Sequence, residues 1–225
     1  MRYRNIVVLT GAGISQAAGL PTYRGPGGLW SNADLAALAD VSAMRTRRAE
    51  ACAMFWQFHQ QIAKVEPTAA HRALAAHELT IITQNVDGLH QKAGSRNVIE
   101  YHGSLARWRC EQCGAEHAPA GDGQPRHCDE HMRPAAVLFG EMIPAEAEHA
   151  AKRALRDCDL FVAIGTSGTV WPAAGFVRSA QYAGAHTVLI NLEIDDEASE
   201  HFAEVRAGRA DEVVPAFLSS ALGRA

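Results

Sequence analysis

Short, unbroken apolar runs recur along the chain, and stretches with helical periodicity separate them. The runs lie at Ile6–Leu9, Ile81–Ile82, Leu160–Ile164 and Thr187–Leu192. An apolar run without alternation indicates a strand that is covered on both faces, as in a parallel sheet flanked by helices. The pattern therefore predicts an α/β fold with a doubly wound, Rossmann-like parallel sheet.

Three segments depart from this alternation of strands and helices. Residues 19–28 contain too many glycines and prolines for a regular element, so we expect a loop that can move. Residues 35–76 are helix-rich in pattern, and residues 107–132 are polar, irregular and cysteine-bearing. We expect these two inserts to form a smaller lobe, and clefts between lobes commonly hold ligands. The ranges predicted for the Rossmann-like domain are 1–34, 77–106 and 133–225.

Composition narrows the classes of protein and partner. The 225 residues are 48% hydrophobic and 20% charged, which is ordinary for a globular chain. A net charge of −4 offers no basic stripe, so we expect no direct nucleic-acid partner. No apolar run approaches the roughly 20 residues needed to cross a bilayer, and the amino terminus leads into the first strand without a cleavage signal. We therefore expect a cytoplasmic protein with no membrane partner.

The first polar motif, Thr10–Ser15, directly follows the first predicted strand. Its glycines, Gly11 and Gly13, would let the backbone turn sharply and approach a pyrophosphate closely. The common dinucleotide fingerprint has a third glycine where this chain has Gln16. Taken alone, the motif therefore also fits a simple tight turn.

Two further polar loops follow predicted strands. Gly165–Thr169 comes after the third apolar run, and Asn191–Glu193 closes the last one. Open parallel sheets bind ligands at the carboxyl ends of their strands, and the carboxylate of Glu193 can accept hydrogen bonds from ribose hydroxyls. Glu193 by itself could equally be a solvated or capping residue. Together with Thr10–Ser15, the two loops predict a dinucleotide site.

A string of polar residues, Thr83–His90, follows the strand at Ile81–Ile82. Its amide and carboxylate groups suit the recognition of a carboxamide and of sugar hydroxyls, although an isolated string of this kind could be an Asx-rich turn. Farther along, His102 precedes Gly103 at the end of another element. Among the histidines, His102 is the one whose setting indicates a general base.

These motifs fall in the order and spacing of the sirtuin family of NAD-dependent protein lysine deacylases, which the chain resembles from about Thr10 to Pro215. The matching strings are Gly11–Trp30, Thr83–Gly94, His102-Gly103, Cys110-x-x-Cys113, Arg133-Pro134, Phe139-Gly140-Glu141, Gly165–Ala174 and Ile190–Glu193. Such a density of matches is far more specific than any one motif.

The resemblance implies the residues that bind NAD. The residues that would line its diphosphate and nicotinamide ribose are Gly11, Ala12, Gly13, Arg24 and Gln84. The nicotinamide carboxamide would be received by Asn85 and Asp87. The residues that would hold the diphosphate and adenosine end are Gly165, Ser167, Asn191 and Glu193.

The resemblance also implies the reaction and its second substrate. His102 corresponds to the general base, with Asn85 as a second catalytic residue, and acyl-lysine proteins or peptides would be the substrates. The residues that would line the acyl-lysine tunnel are Val137, Leu138, Phe139 and Gly140. The loop at 19–28 would close over NAD, and the products would be free lysine, nicotinamide and O-acyl-ADP-ribose.

The preference for the acyl group is expected to be for short or apolar chains. Sirtuins that favour acidic acyl groups carry a Tyr and an Arg three residues apart in the helical lobe. This chain has Trp56 and His59 at the corresponding places. Without a guanidinium to pair with a carboxylate, we expect weak removal of succinyl groups.

The cysteines predict a metal rather than disulfides. Five cysteines in a reducing compartment argue against a disulfide framework, and three of them cluster: Cys110, Cys113 and Cys128. The family usually holds a structural zinc with two Cys-x-x-Cys pairs. Counting back from Arg133, Cys128 stands where the final cysteine belongs, but Pro125 occupies the place of its partner.

A histidine could supply this missing ligand, because imidazole binds Zn²⁺ well. The Cys128-x-x-His131 spacing is workable, and His127 and His117 are further candidates. A metal-free loop is the alternative. The zinc module predicted within residues 107–132 has four ligands: Cys110, Cys113, Cys128 and His131.

Three other functions stay open from the residues alone. An NAD glycohydrolase or mono-ADP-ribosyltransferase would use the same cofactor site with a different acceptor. A non-catalytic module that binds NAD or acyl-lysine is a second alternative. A hydride-transferring dehydrogenase fits less well, because the glycine loop departs from the usual dinucleotide fingerprint.

Overall fold

The computed structural model describes residues 3–23, 27–121, 123–166, 172–194 and 199–223. Within these ranges, no helix is both long and apolar enough to cross a membrane. The strands, in chain order, are β1 (Ile6–Thr10), β2 (Thr80–Thr83), β3 (Val98–Glu100), β4 (Gly103–Arg109), β5 (Glu116–His117), β6 (Arg126–His127), β7 (Glu130–His131), β8 (Arg133–Ala136), β9 (Leu160–Ile164), β10 (His186–Asn191) and β11 (Glu204–Ala207).

Helices connect most of these strands. The α-helices, in chain order, are α1 (Ala33–Leu38), α2 (Ala43–Thr46), α3 (Arg48–Ala63), α4 (Ala69–Ala75), α5 (Leu89–Lys92), α6 (Ala145–Arg156), α7 (Phe176–Tyr182) and α8 (Ala210–Leu222). The 3₁₀ helices are Ala12–Ala18, Leu29–Ser31 and Ala173–Gly175. The loop after β1 thus leads into a 3₁₀ helix.

The large sheet has six parallel strands in the order β11-β10-β9-β1-β2-β3. Every residue of β1 and of β9, the two central strands, is buried. Burial on both faces is why these strands are continuous apolar runs. The order is that of a doubly wound sheet with its switch point between β1 and β9, which confirms the predicted Rossmann-like fold.

The two faces of the large sheet bury separate clusters of side chains. Val8 packs on one face with α4 and α8, and Val7 and Leu9 pack on the other face with α6 and α7. Alternation of side chains along β1 sends successive residues into different clusters. Full burial of each such side chain contributes roughly 1.5–3 kcal/mol.

The smaller lobe is built from α1 to α3 and from two small antiparallel sheets, β5-β4-β8 and β6-β7. Its core includes Trp56 of α3 and Trp108 of β4, whose rings meet edge to face at 5.9 Å between centroids. Two details differ from the predicted boundaries. Ala70 and Leu74 of α4 pack in the core of the large sheet, and β4 and β8 pair within the smaller lobe. Helical periodicity in a sequence shows the apolar face of a helix but not the surface that covers it.

Candidate functional site

Two glycine loops meet at the switch point of the large sheet. The backbone N–H of Gly11 donates to the carbonyl of Ile164 at 3.0 Å, and that of Gly13 donates to Gly165 at 2.9 Å. A Cβ on Gly13 would lie 2.6 Å from the Cα of Gly165, and Gly165 itself has a φ of +59°. Only glycine allows the loops after β1 and β9 to pack this closely. Ala12 lies half-buried between the two glycines.

The loop after β2 joins this meeting point. The N–H of Gln84 donates to the carbonyl of Thr10 at 2.9 Å, and its Nε2 donates to the hydroxyl of Thr166 at 2.9 Å. The Nδ2 of Asn85 donates to the carbonyl of Gly11 at 3.1 Å and to the hydroxyl of Ser15 at 3.3 Å. Within the described part of the chain, the buried Oδ1 of Asn85 has no partner. A buried acceptor without a partner suits a ligand N–H donor such as a carboxamide.

Asp87 lies in the same loop and contacts Ser15. Its Oδ2 accepts the hydroxyl of Ser15 at 2.7 Å, and its Oδ1 accepts the N–H of Leu89 at 3.0 Å. Burial raises the pKa of Asp87, and these two hydrogen bonds partly oppose that rise. The carboxylate therefore fixes the hydroxyl of Ser15, which in turn accepts from Asn85. Ser15 is not among the residues predicted for this site, and its only signal in the sequence is a hydroxyl two residues beyond Gly13.

His102 lies in the turn between β3 and β4, next to the loop after β2. Its Nδ1 is 3.0 Å from the carbonyl oxygen of Gln84. Because a carbonyl only accepts, Nδ1 carries the proton and Nε2 keeps its lone pair. Burial lowers the pKa of His102, and the bond to Gln84 opposes this shift in part. The geometry thus makes Nε2 of a neutral imidazole the basic atom.

The segment predicted to line the acyl-lysine tunnel runs from His102 to the smaller lobe. The N–H of Val137 donates to the carbonyl of His102 at 2.9 Å. The N–H of Phe139 donates to the carbonyl of Ala39, and its carbonyl accepts from Val41, both at 2.9 Å. Phe139 keeps 39% of its surface exposed, whereas Leu138 is buried; the next residue, Gly140, is also exposed.

Of the remaining residues predicted for the NAD site, two lie in the described part of the chain and two do not. Asn191 ends β10, and its Nδ2 donates to the carbonyl of Thr166 at 3.2 Å, which brings it beside the glycine loops. Glu193 is exposed two residues farther on. Arg24 and Ser167 lie outside the described residues. The glycine loops and the unpaired Oδ1 of Asn85 fit a dinucleotide that ends in a carboxamide.

A cluster of metal-ligand side chains lies in the smaller lobe. Among the described residues, one ligand atom from each of its four members lies within 4.8 Å of all the others. The members are Cys110, Cys113, His127 and Cys128. Three thiols and one imidazole are a donor set that Zn²⁺ accepts in tetrahedral sites, so the cluster is compatible with a structural zinc.

The fourth member is His127, and His131 lies outside the cluster. The β6-β7 hairpin turns at Cys128 and Asp129, which have positive φ values of 48° and 62°. This tight turn brings the thiol of Cys128 within 3.1 Å of Nδ1 of His127. His131 pairs with Arg126 across the hairpin, and its Nε2 is 3.0 Å from that guanidinium. The observed cluster thus contains His127 instead of the His131 predicted from Cys-x-x-His spacing.

Known proteins are similar to this chain over most of its length. The Sir2 family profile matches residues 11–172. NAD-dependent protein deacylases of Pasteurella multocida and Vibrio parahaemolyticus are each 43% identical to this chain. The first alignment covers 96% of this chain and 97% of the relative, and the second covers 98% and 96%.

Solved structures are similar over almost the whole chain. A complex of a Sir2 homologue with NAD has a TM-score of 0.88 at 32% identity, covering 97% of this chain and 90% of that chain. A complex of Sir2 with a p53 peptide and NAD⁺ has a TM-score of 0.81 at 27% identity, covering 97% and 93%. The fold, the family profile and the full-length relatives confirm the resemblance to sirtuins, and the chain belongs to the Sir2 family.

Proposed function

We propose that this chain is an NAD-dependent protein lysine deacylase that releases nicotinamide and O-acyl-ADP-ribose. The observation that carries the proposal is the position of His102. Its Nδ1 is 3.0 Å from the carbonyl of Gln84, and its own carbonyl accepts the N–H of Val137 at 2.9 Å. The imidazole is therefore tied both to the loop expected to bind NAD and to the segment expected to bind acyl-lysine.

Each group of residues has a distinct task in this proposal. NAD, when bound, supplies the glycosidic bond to nicotinamide as the bond that is broken. Oδ1 of Asn85 accepts the carboxamide N–H, and Asp87 holds Ser15 in place so that the donor of Asn85 stays engaged. Nε2 of His102 takes a proton from a ribose hydroxyl, as a neutral imidazole does at neutral pH. Phe139 and Gly140 lie exposed where a peptide would be held against the site.

We assign zinc a structural task. Cys110, Cys113, His127 and Cys128 would hold the ion, and its charge would fasten the β6-β7 hairpin to the loop between β4 and β5. A small lobe with short strands gains stability from such a site.

The deciding experiment combines the chain with NAD and an acetyl-lysine peptide, followed by mass spectrometry of both products. We expect deacetylated peptide and O-acetyl-ADP-ribose in equal amounts. Free ADP-ribose with an unchanged peptide would instead indicate a glycohydrolase, and ADP-ribose attached to protein would indicate a transferase. NAD binding without any release of nicotinamide would indicate a binding module.

The residues expected to set the acyl preference, Trp56 and His59, lie in the smaller lobe. The rings of Trp56 and His59 stack at 5.0 Å between centroids, and Nδ1 of His59 is 3.0 Å from the carbonyl of Leu105. This stacked pair offers no guanidinium to a carboxylate at the positions where the acid-preferring sirtuins carry a Tyr and an Arg. On peptides that differ only in the acyl group, we expect acetyl and butyryl to be removed faster than succinyl. Equal or faster removal of succinyl would contradict the assignment. The proposed substrates are acyl-lysine proteins and peptides, and a cytoplasmic location stays a prediction.

A further inference from the structure

A partly buried ion pair lies next to the segment 137–140, which is predicted to line the acyl-lysine tunnel. Its cation is Arg133, which begins β8 and whose side chain is 1% exposed. Nη1 and Nη2 of Arg133 donate to the two carboxylate oxygens of Glu141 at 2.6 and 2.8 Å, and Nη2 also donates to the carbonyl of Ala136 at 2.9 Å. A two-point contact of this kind fixes the orientation of the carboxylate as well as its distance.

The carboxylate of Glu141 closes the turn that presents the exposed residues. Its Oε2 accepts the backbone N–H of Leu138 at 2.8 Å, and its own N–H donates to the carbonyl of Leu138 at 3.0 Å. Between them, Gly140 has a φ of +83°, which favours glycine. Arg133 therefore fixes Glu141, and Glu141 fixes the shape of the turn that carries Phe139 and Gly140.

The same guanidinium reaches the cysteine cluster. Nη1 of Arg133 is 3.4 Å from Oε1 of Glu111, which lies between Cys110 and Cys113 in sequence. Arg48 of α3 also hydrogen-bonds to Glu111. The buried guanidinium of Arg133 thus contacts two carboxylates: Glu111, in the loop that carries Cys110 and Cys113, and Glu141, in the turn that carries Phe139 and Gly140.

We propose that Arg133 is a positioning residue for the acyl-lysine peptide, acting through Glu141. The inference rests on the proposed function, because it assumes that the turn at Leu138–Glu141 meets this substrate. Loss of the two-point contact would let the turn relax, whereas the glycine loops, to which Arg133 donates no hydrogen bond among the described residues, would keep their shape. The affinity for peptide should then fall without a matching loss of affinity for NAD.

The kinetic test compares Arg133→Lys with the natural protein. Lysine keeps the charge, but its single ammonium cannot reproduce the planar contact with both oxygens. We expect KM for the acetyl peptide to rise about tenfold, with KM for NAD changing less than about twofold. Arg156→Lys, on the exposed surface of α6, is the matched control and should change neither constant.

A double-mutant cycle tests the route through Glu141. Glu141→Gln keeps an oxygen that can accept the N–H of Leu138 but removes the ion pair. If Arg133 acts through this carboxylate, Arg133→Lys combined with Glu141→Gln should raise the peptide KM no more than the stronger single change does. Independent, multiplying effects would overturn the proposed route.

Hydrogen–deuterium exchange provides a readout that does not need turnover. In Arg133→Lys, we expect faster exchange in the segment 137–142 and unchanged exchange in the segment 11–15. Failure of the natural protein to deacylate any peptide would contradict the proposed function, while this exchange comparison would still test the positioning role. Unchanged exchange at 137–142 together with an unchanged peptide KM, or an equal rise in both KM values, would overturn the inference.

Discussion

The ring centroids of His71 and His90 lie 4.7 Å apart in the interior, and burial lowers the pKa of both imidazoles, so both rings are neutral at pH 7. The N–H of Thr68 donates to Nδ1 of His71, so that ring is protonated on Nε2. The hydroxyl of Thr10 donates its proton to Thr83, so Nε2 of His90 must donate to Thr10. The Nδ1 of His90 is therefore unprotonated. Within the described chain, the remaining nitrogens, an N–H on His71 and a lone pair on His90, are buried without partners.

This pair predicts a loss of stability in acid. Burial lowers the pKa of His71 to about 4 and that of His90 to about 3, whereas both groups titrate near 6.5 when unfolded. Between these values the unfolded chain binds more protons, so the free energy of unfolding falls as the pH drops below 6.5 and is unaffected above it. Each histidine should cost of the order of 2 kcal/mol at pH 5 relative to pH 7.5.

Urea unfolding at pH 5 and pH 7.5 measures this loss. His71→Asn keeps an acceptor for the N–H of Thr68, and His90→Gln keeps a donor for the hydroxyl of Thr10. We expect each variant to lose less stability than the natural protein between the two pH values. His149→Gln, at an exposed position of α6, should retain the full difference. The same pH dependence in all four proteins would show that the buried pair is not the cause.

A second prediction concerns Asp87, whose carboxylate accepts from both Ser15 and Leu89. An amide has one acceptor oxygen where the carboxylate has two, so in Asp87→Asn either the hydroxyl of Ser15 or the N–H of Leu89 would face an NH₂ group and lose its acceptor. A buried donor left without an acceptor costs about 1–3 kcal/mol. We therefore expect the exchange of free nicotinamide with the nicotinamide of NAD to slow by at least about tenfold. Asp157→Asn, at an exposed carboxylate, should exchange at the natural rate. Normal exchange in Asp87→Asn would show that the carboxylate does not shape the pocket.

The metal cluster predicts different outcomes for two neighbouring histidines. His127→Ala removes one of the four clustered donors and should lower the zinc content well below one ion per chain, with a Tm lower by several degrees. His131→Ala leaves the cluster intact and should retain zinc. Metal analysis of protein purified without chelator, together with thermal unfolding, distinguishes the two variants. Zinc loss in His131→Ala but not in His127→Ala would support the ligand set predicted from spacing.

The accuracy of the sequence predictions depended on whether a property is local. The buried central strands were visible as apolar runs because each residue's own character reports its burial. The sequence predicts that Gly11 and Gly13 let the backbone approach a pyrophosphate. Gly13 is needed for a second reason, because a side chain there would collide with Gly165. That requirement joins loops about 150 residues apart, and no local pattern shows it.

The metal ligand illustrates the same limit at short range. Cys128-x-x-His131 has a spacing that can bind zinc, but the backbone of Cys128 adopts a left-handed conformation that is uncommon for a residue other than glycine. This turn points His127 at the thiols and places His131 opposite Arg126. The sequence thus predicted the three clustered thiols, but the histidine that lies with them is His127 rather than the His131 indicated by spacing.

The pH dependence of the reaction tests the assignment of His102 as base. The base must be neutral to accept a proton, and burial lowers the pKa of His102 below its ordinary value of 6.5. Activity governed by this group should therefore be high at neutral pH and fall as the pH drops through a midpoint below 6.5. The midpoint would be read from kcat/KM for the peptide at saturating NAD, over the range in which the protein stays folded.

Variants of His102 separate the chemical role from binding. His102→Ala removes Nε2 and should abolish deacylation, while calorimetry should show NAD binding largely intact, because the glycine loops and Asn85 remain. His102→Gln retains a side chain that can donate to the carbonyl of Gln84 but has no comparable base, so it should restore local order without restoring turnover. Recovery of activity in His102→Gln, or turnover by His102→Ala at the natural rate, would show that the proton is taken by another group.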